Sequence, residues 1–249
     1  MRSFLITGSS RGLGLAFARK LLENPENIVI ATARNTAGSS GLQQLAKQYP
    51  SDRLVLLDLD VEKTESIRNA VEEVDKRLPD GLDNLISNAG TLKESEGWLS
   101  QVDLDKMKED LAFVTTHLDV IRQFLPLIRR GKDKKIAVIS SFLGSIDRAI
   151  NLVGLMIPYS ASKAALNMAV RKVTPELKME GITIFAIHPG WVGATEIGSA
   201  ITEWVHKNYP ETREFTEDEA AEAVVKALDT TTLEDAGKFF DNNGTTLPW

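Results

Sequence analysis

The chain has 249 residues, 43% hydrophobic and 26% charged, with a formal net charge of −6. That length suits one sizeable core, and the acidic balance argues against nucleic acid as the main partner, because phosphate backbones are bound by basic surfaces. The sequence has no cysteine, which excludes disulfides, thiolate metal sites and cysteine nucleophiles.

The first apolar run predicts a strand over 4–6, too short for a signal peptide. It leads straight into Thr7-Gly8-Ser9-Ser10-Arg11-Gly12-Leu13-Gly14 and a helix over 13–22. A strand over 28–31 follows, then a polar loop over 35–41 and a strand over 54–57. A helix over 65–77, a strand over 85–87 and one long helix over 104–129 come next. The pattern closes with a strand over 136–140, a helix over 159–178, a strand over 182–187, a helix over 217–228 and a short strand at 239–240. Thr216 and Glu219 have the spacing of a capping box for the late helix. Pro158 suits the start of the helix that carries Tyr159. Pro126 and Pro175 fall inside helical patterns, where each is expected to kink or end its helix.

Alternating strands and helices predict an α/β fold. It is a single domain, a doubly wound, mostly parallel sheet with helices on both faces. No stretch has the uninterrupted apolar length of a membrane span, so a soluble cytoplasmic protein is expected, with no membrane and no nucleic-acid partner. The segment 193–211 holds Trp204, Tyr209 and two glycines. It reads either as a substrate lid or as an ordinary excursion.

Gly8, Gly12 and Gly14 lie between the first strand and the first helix. Glycine permits positive φ and close backbone approach, and a helix N-terminus offers free N–H groups to a pyrophosphate. The spacing differs from G-x-G-x-x-G, but the physics of dinucleotide binding is shared. After the second strand, Ala31-Thr32-Ala33-Arg34-Asn35 offers an arginine and no acid. An acid there would suit the ribose of NAD, whereas an arginine suits the 2′-phosphate of NADP. Arg11 can reach the same phosphate, so NADP(H) is expected over NAD(H).

Tyr159 and Lys163 stand four residues apart on a predicted helix and share a face. The tyrosine is a proton donor or acceptor if its pKa, ordinarily near ~10, falls toward neutrality. The Lys163 ammonium and an oxidised nicotinamide are expected to lower it. Ser141 follows the strand over 136–140, at the sheet edge where ligands of such folds gather, and its hydroxyl could hold a substrate oxygen. His117, His188 and His206 show no metal spacing, and no metal is expected.

These residues resemble the short-chain dehydrogenase/reductase family over nearly the whole chain, and within it the C-factor/sniffer-like carbonyl reductases. The resemblance rests on Thr7–Gly14, Asp60-Val61, Asn88-Ala89-Gly90, Ser141-Phe142-Leu143-Gly144, Tyr159–Lys163 with Ala164-Ala165-Leu166-Asn167, and Pro189-Gly190-Trp191-Val192. It implies Tyr159 as general acid, Lys163 as the group that binds the nicotinamide ribose and tunes Tyr159, and Ser141 as orienter of the carbonyl. It further implies that Gly8, Ser10, Arg11, Gly12, Leu13, Gly14 and Arg34 hold the phosphates and that Asp60 and Val61 line the adenine pocket. Asn88, Ala89 and Gly90 would steady the central strand and the cofactor. Pro189, Gly190, Val192 and Thr195 would contact the nicotinamide. Family members often pair through the helices matching 104–129 and 159–178, so a homodimer and a monomer both stay open.

Three positions depart from the family pattern. Ser87 stands where an asparagine usually precedes Asn88. Phe113 stands where a relay asparagine is expected, and Thr115 or Thr116 would have to substitute. The segment between Ser141 and Tyr159 is long and largely apolar over 150–157, as expected for a wall of the substrate pocket. Trp191 and Trp204 favour an apolar or aromatic carbonyl substrate. The expected function is NADPH-dependent oxidoreduction of a small-molecule carbonyl or alcohol. Phe113 keeps a second reading open, an NADP(H)-binding sensor or scaffold with little catalysis. A third keeps an enzyme but exchanges the reaction for dehydration or epimerisation.

Overall fold

A computed structural model describes all 249 residues, Met1–Trp249. Seven strands form one sheet: β1 (Arg2–Ile6), β2 (Asn27–Ala33), β3 (Leu54–Asp58), β4 (Asn84–Ser87), β5 (Lys135–Ile139), β6 (Thr183–Ile187) and β7 (Phe239–Phe240). Their order is β3-β2-β1-β4-β5-β6-β7, and every pairing between them is parallel.

Alternation within each strand explains the two layers of helices. Side chains of a strand point to opposite faces in turn. Leu5, Ile30, Leu85, Ile136, Val138 and Ile184 enter one apolar core. Their neighbours Phe4, Ile6, Val29, Ile86, Ala137 and Phe185 enter the other. Both faces are apolar, so both must be covered. The first core is closed by α3 (Thr64–Arg77), α5 (Val114–Arg130) and α7 (Ile157–Met179). The second is closed by α1 (Gly12–Leu22), α2 (Ser40–Ala46) and, after α7 in the chain, α10 (Glu217–Thr230).

The strand order reverses between β1 and β4. At such a switch point the connections leave in opposite directions, and a crevice opens beyond the strand ends. The Gly8 loop follows β1 there, and Asn88 follows β4.

Three expectations are corrected. The predicted loop over 35–41 runs into a helix, α2, because Ser39 caps it through Leu42 N–H and Leu42 and Leu45 are buried. The single helix over 104–129 is two, α4 (Leu104–Ala112) and α5, joined at Phe113. Pro126 and Pro175 end nothing. Both sit inside continuous helices, where burial of Phe124, Leu127, Ile128, Thr174 and Leu177 offsets the lost ladder bond. The capping box of α10 forms as its spacing predicts. Two short helices, α8 (Glu196–Ser199) and α9 (Thr202–Asn208), fill the 193–211 segment, and α6 (Ile146–Ala149) lies between Ser141 and Tyr159.

Candidate active site

One cleft of 1460 Å³ opens at the switch point, and every site residue expected from the sequence borders it. Pockets for drug-sized ligands occupy roughly 300–1,000 Å³, so this one has room for a dinucleotide and a second molecule.

The glycine loop is built for close backbone approach. Gly8 has φ +71, a conformation that side chains disfavour. A Cβ on Gly14 would stand 2.2 Å from the Gly8 carbonyl oxygen and 2.7 Å from Asn88 Nδ2. Asn88 fixes this loop from the neighbouring strand. Its Nδ2 donates to the carbonyls of Thr7 (2.9 Å) and Gly8 (3.2 Å), while Thr7 Oγ1 accepts from the Asn88 and Ala89 amides. No side chain caps α1, so its first N–H groups face the cleft as an anion site. Together, the tight cradle and the uncapped helix fit a dinucleotide pyrophosphate.

At the far end of the cleft, Arg34 stands exposed just after β2. Asp60 sits close enough to feel its charge. Burial pushes the Asp60 carboxyl up, but the Lys63 ammonium at 3.0 Å, the Glu62 amide and Arg34 outweigh it and hold the carboxyl low. Arg11 borders the same cleft but pairs with Glu196 at the start of α8. The loop arginine therefore bridges to the 193–211 segment, and Arg34 is the cation left facing the second strand.

The proton-bearing residues converge at the opposite end. Tyr159, Lys163 and Ser141 are all buried on this cleft. Lys163 Nζ donates to the Ile139 carbonyl at 3.0 Å and lies 5.6 Å from the Tyr159 ring centre. The protein's own groups, taken without a nicotinamide, do not lower the phenol. Burial pushes Tyr159 up to about 12, and the Ser141 hydroxyl offsets only part of that rise. Burial alone brings Lys163 down to about 8.

The second chamber of the cleft is apolar. Leu143, Leu155, Met156 and Tyr159 form a small cluster against Phe142, Leu152, Ile197, Ile201 and Trp204. The 193–211 segment is tied to the long 141–159 connection by two hydrogen bonds. Trp204 Nε1 donates to the Val153 carbonyl and Tyr209 Oη to the Asn151 carbonyl, each at 3.0 Å. The two segments that were expected separately to wall the substrate site therefore form one wall. Arg148, lying 5.0 Å over the Phe142 ring, also borders the cleft.

Sequence reasoning missed Thr7 as the clamp for Asn88, although Thr7 begins the glycine motif. It named Asn167 in the motif but gave it no role; Asn167 accepts from Ser140 Oγ at 2.6 Å and donates to the Gly144 carbonyl at 3.1 Å. Asn167 lies four residues beyond Lys163, and that spacing is the signal that would have found it. Phe113 borders the cleft, whereas neither Thr115 nor Thr116 does. Thr115 Oγ1 donates to the Ala112 carbonyl and Thr116 Oγ1 to the Phe113 carbonyl, each at 2.7 Å.

The short chain dehydrogenase family model matches residues 2–206. The chain belongs to this family. Among relatives in this family, the short-chain dehydrogenase RED3 of Pyricularia oryzae is 33% identical, the alignment covering 98% of this chain and 97% of the relative. NADPH-bound carbonyl reductase from chicken fatty liver has the same fold, with a TM-score of 0.85 and 31% identity over 100% of this chain and 99% of its own. Carbonyl reductase Sniffer of D. melanogaster gives a TM-score of 0.86 at 27% identity, with both chains fully covered.

Proposed function

We propose that this dehydrogenase is an NADPH-dependent reductase of small carbonyl compounds, with Tyr159 as the proton donor. One observation carries the reading: the buried Tyr159, Lys163 and Ser141 border the same cleft as the glycine loop. NADPH-bound carbonyl reductase among its structural relatives supports it. The Gly8–Gly14 loop and the open N-terminus of α1 would hold the pyrophosphate, and Arg34 the 2′-phosphate. Bound NADPH would supply the hydride.

The residues of the chain supply the rest. Ser141 orients the substrate oxygen beside the phenol. With a pKa near 12, Tyr159 keeps its proton at neutral pH until negative charge builds on that oxygen, and then donates it. Lys163 stands behind Tyr159 as the nearest cation. The apolar wall excludes water and favours an apolar or aromatic carbonyl compound.

The test follows NADPH absorbance against quinones, diketones and aldehydes. Tyr159→Phe should lower kcat by about 10²-fold or more, the usual worth of a positioned proton donor, with NADPH binding nearly unchanged. Tight NADPH binding without turnover of any carbonyl would favour the sensor reading. Substrate conversion without net NADPH oxidation would favour dehydration or epimerisation. A cytoplasmic location, checked by fractionation, belongs to the same proposal. Sedimentation distinguishes a monomer from a homodimer paired through α5 and α7.

A further inference from the structure

The family departures at Ser87 and Phe113 meet in space around His117. Phe113 and His117 are one turn apart on the same side of the α4–α5 rod, and their rings touch edge to face, with centres 5.9 Å apart. His117 is buried, and its Nδ1 lies 2.8 Å from Ser87 Oγ. Ser87 is the last residue of β4 and pairs with Val138 of β5. The next residue along β5 is Ile139, whose carbonyl takes the Lys163 ammonium. Neighbouring strands lie about 4.8 Å apart. The Ser87–His117 pair and the Ile139–Lys163 pair therefore sit side by side at the same sheet edge. Thr115 is exposed, and neither Thr115 nor Thr116 borders the cleft; their hydroxyls donate to the Ala112 and Phe113 carbonyls.

Resting on the reductase reading, we propose that His117, locked by Ser87, is the positioning residue for Lys163: its neutral ring presents an acceptor nitrogen, Nε2, toward the ammonium, directly or through one water, where Phe113 offers none. The proton sits on Nδ1 and is donated to Ser87 Oγ, which leaves the Nε2 lone pair free. The ring accepts at Nε2 and gains no second proton through the cycle.

The electrostatics agree with a ring that stays neutral. Burial, with help from the Lys163 charge, holds the His117 pKa down at about 3. Lys163 on α7 is the charged group that acts on the ring, and Asp110 on α4 acts on the neighbouring Tyr159. The buried Asp110 carboxylate is engaged by the Lys93 and Glu94 amides. The adjoining ends of β4 and β5 contribute no ionisable side chain. A neutral acceptor stabilises the charged lysine, whereas a charged ring would repel it.

The experiment compares wild type with His117→Leu, His117→Gln and Ser87→Ala. His117→Leu should lower kcat about tenfold and move its alkaline limb down by about one unit, as expected when an ammonium loses an acceptor. NADPH binding, read by fluorescence, should stay within about twofold. His117→Gln, which keeps a side-chain acceptor, should recover most of both effects, and Ser87→Ala should give a weaker loss in the same direction. A folded His117→Leu with kcat and pH profile unchanged overturns the proposal. If His117→Leu fails to fold, Ser87→Ala and His117→Gln decide it.

Two readouts need no turnover. Side-chain ¹⁵N NMR of wild type should show a neutral, Nδ1-protonated His117 from pH 8 to about 5. The Lys163 ammonium should titrate lower in His117→Leu than in wild type. The opposite tautomer, or an unmoved Lys163, rejects the role of His117 even where no carbonyl substrate is found. Failure on the carbonyl panel alone rejects the reductase reading and leaves the tautomer and titration results standing.

Discussion

At the residue scale, burial decides the chemistry of Tyr159. Its rise from 10.0 to about 12 corresponds to roughly 3 kcal/mol against the phenolate. That rise is what remains after the Ser141 hydroxyl has offset part of the burial, and one N–H of Lys163 goes to the Ile139 carbonyl. Such a phenol is an acid at neutral pH, suited to the reductive direction, in which the proton must be held until the oxygen becomes basic. Arg34 is equally specific in its role. It stands after β2 with no acid of its own strand end beside it, whereas Arg11 is paired with Glu196. Arg34→Asp should therefore raise KM for NADPH by about tenfold or more while changing KM for NADH little, since a charge-assisted phosphate contact is worth about 1.5–3 kcal/mol. Steady-state kinetics with both coenzymes checks this. Equal effects on the two would remove Arg34 from the 2′-phosphate.

At the element scale, the joint at Phe113 and the α8–α9 segment matter most. The apolar period of 104–129 runs unbroken in sequence, which is why it reads as one helix. At the joint, the Phe113 ring meets His117 one turn on and its carbonyl takes the Thr116 hydroxyl. The α8–α9 segment is fastened to the 141–159 connection beside the apolar chamber. Trp204 anchors it by one hydrogen bond to Val153 and by apolar contact with the Leu155–Met156 cluster. Trp204→Ala should loosen this wall, raising KM for the carbonyl substrate up to about tenfold, as the loss of an aromatic contact of about 0.5–1.5 kcal/mol implies. The affinity for NADPH, measured by fluorescence titration, should change little, because the glycine loop and Arg34 are untouched. Weakened coenzyme binding of the same size would show that the segment closes on the nucleotide instead.

At the scale of the whole molecule, a sheet apolar on both faces buries neutral groups that acid must charge. His117 is ordinarily near 6.5 and is held at about 3 by burial. Between those values the unfolded chain binds a proton and the folded chain does not, so stability falls as pH falls. From pH 6.5 to 4.5 this one residue costs about 2 kcal/mol. His188, lowered to about 4 mainly by burial, acts in the same direction. Urea midpoints should drop over this range, and His117→Gln should flatten the drop. A pH-independent midpoint in wild type would show that the ring is not neutral in the folded protein.

The sequence by itself determined the sheet, the order of its layers and the positions of the motifs. Strand alternation, glycine placement and helical spacing are local, and local geometry follows from neighbouring residues. The convergence of Gly14, Asn88, Ser141, Tyr159 and Lys163 was legible because each ends a strand or opens a helix at the same edge of a parallel sheet. Only the tertiary structure decided the direction of the Tyr159 shift, the diversion of Arg11 to Glu196, the helix at 40–46 and the meeting of Ser87 with His117. Each of these depends on burial or on contacts between residues far apart in the chain, and no periodicity in the sequence encodes the distance between them.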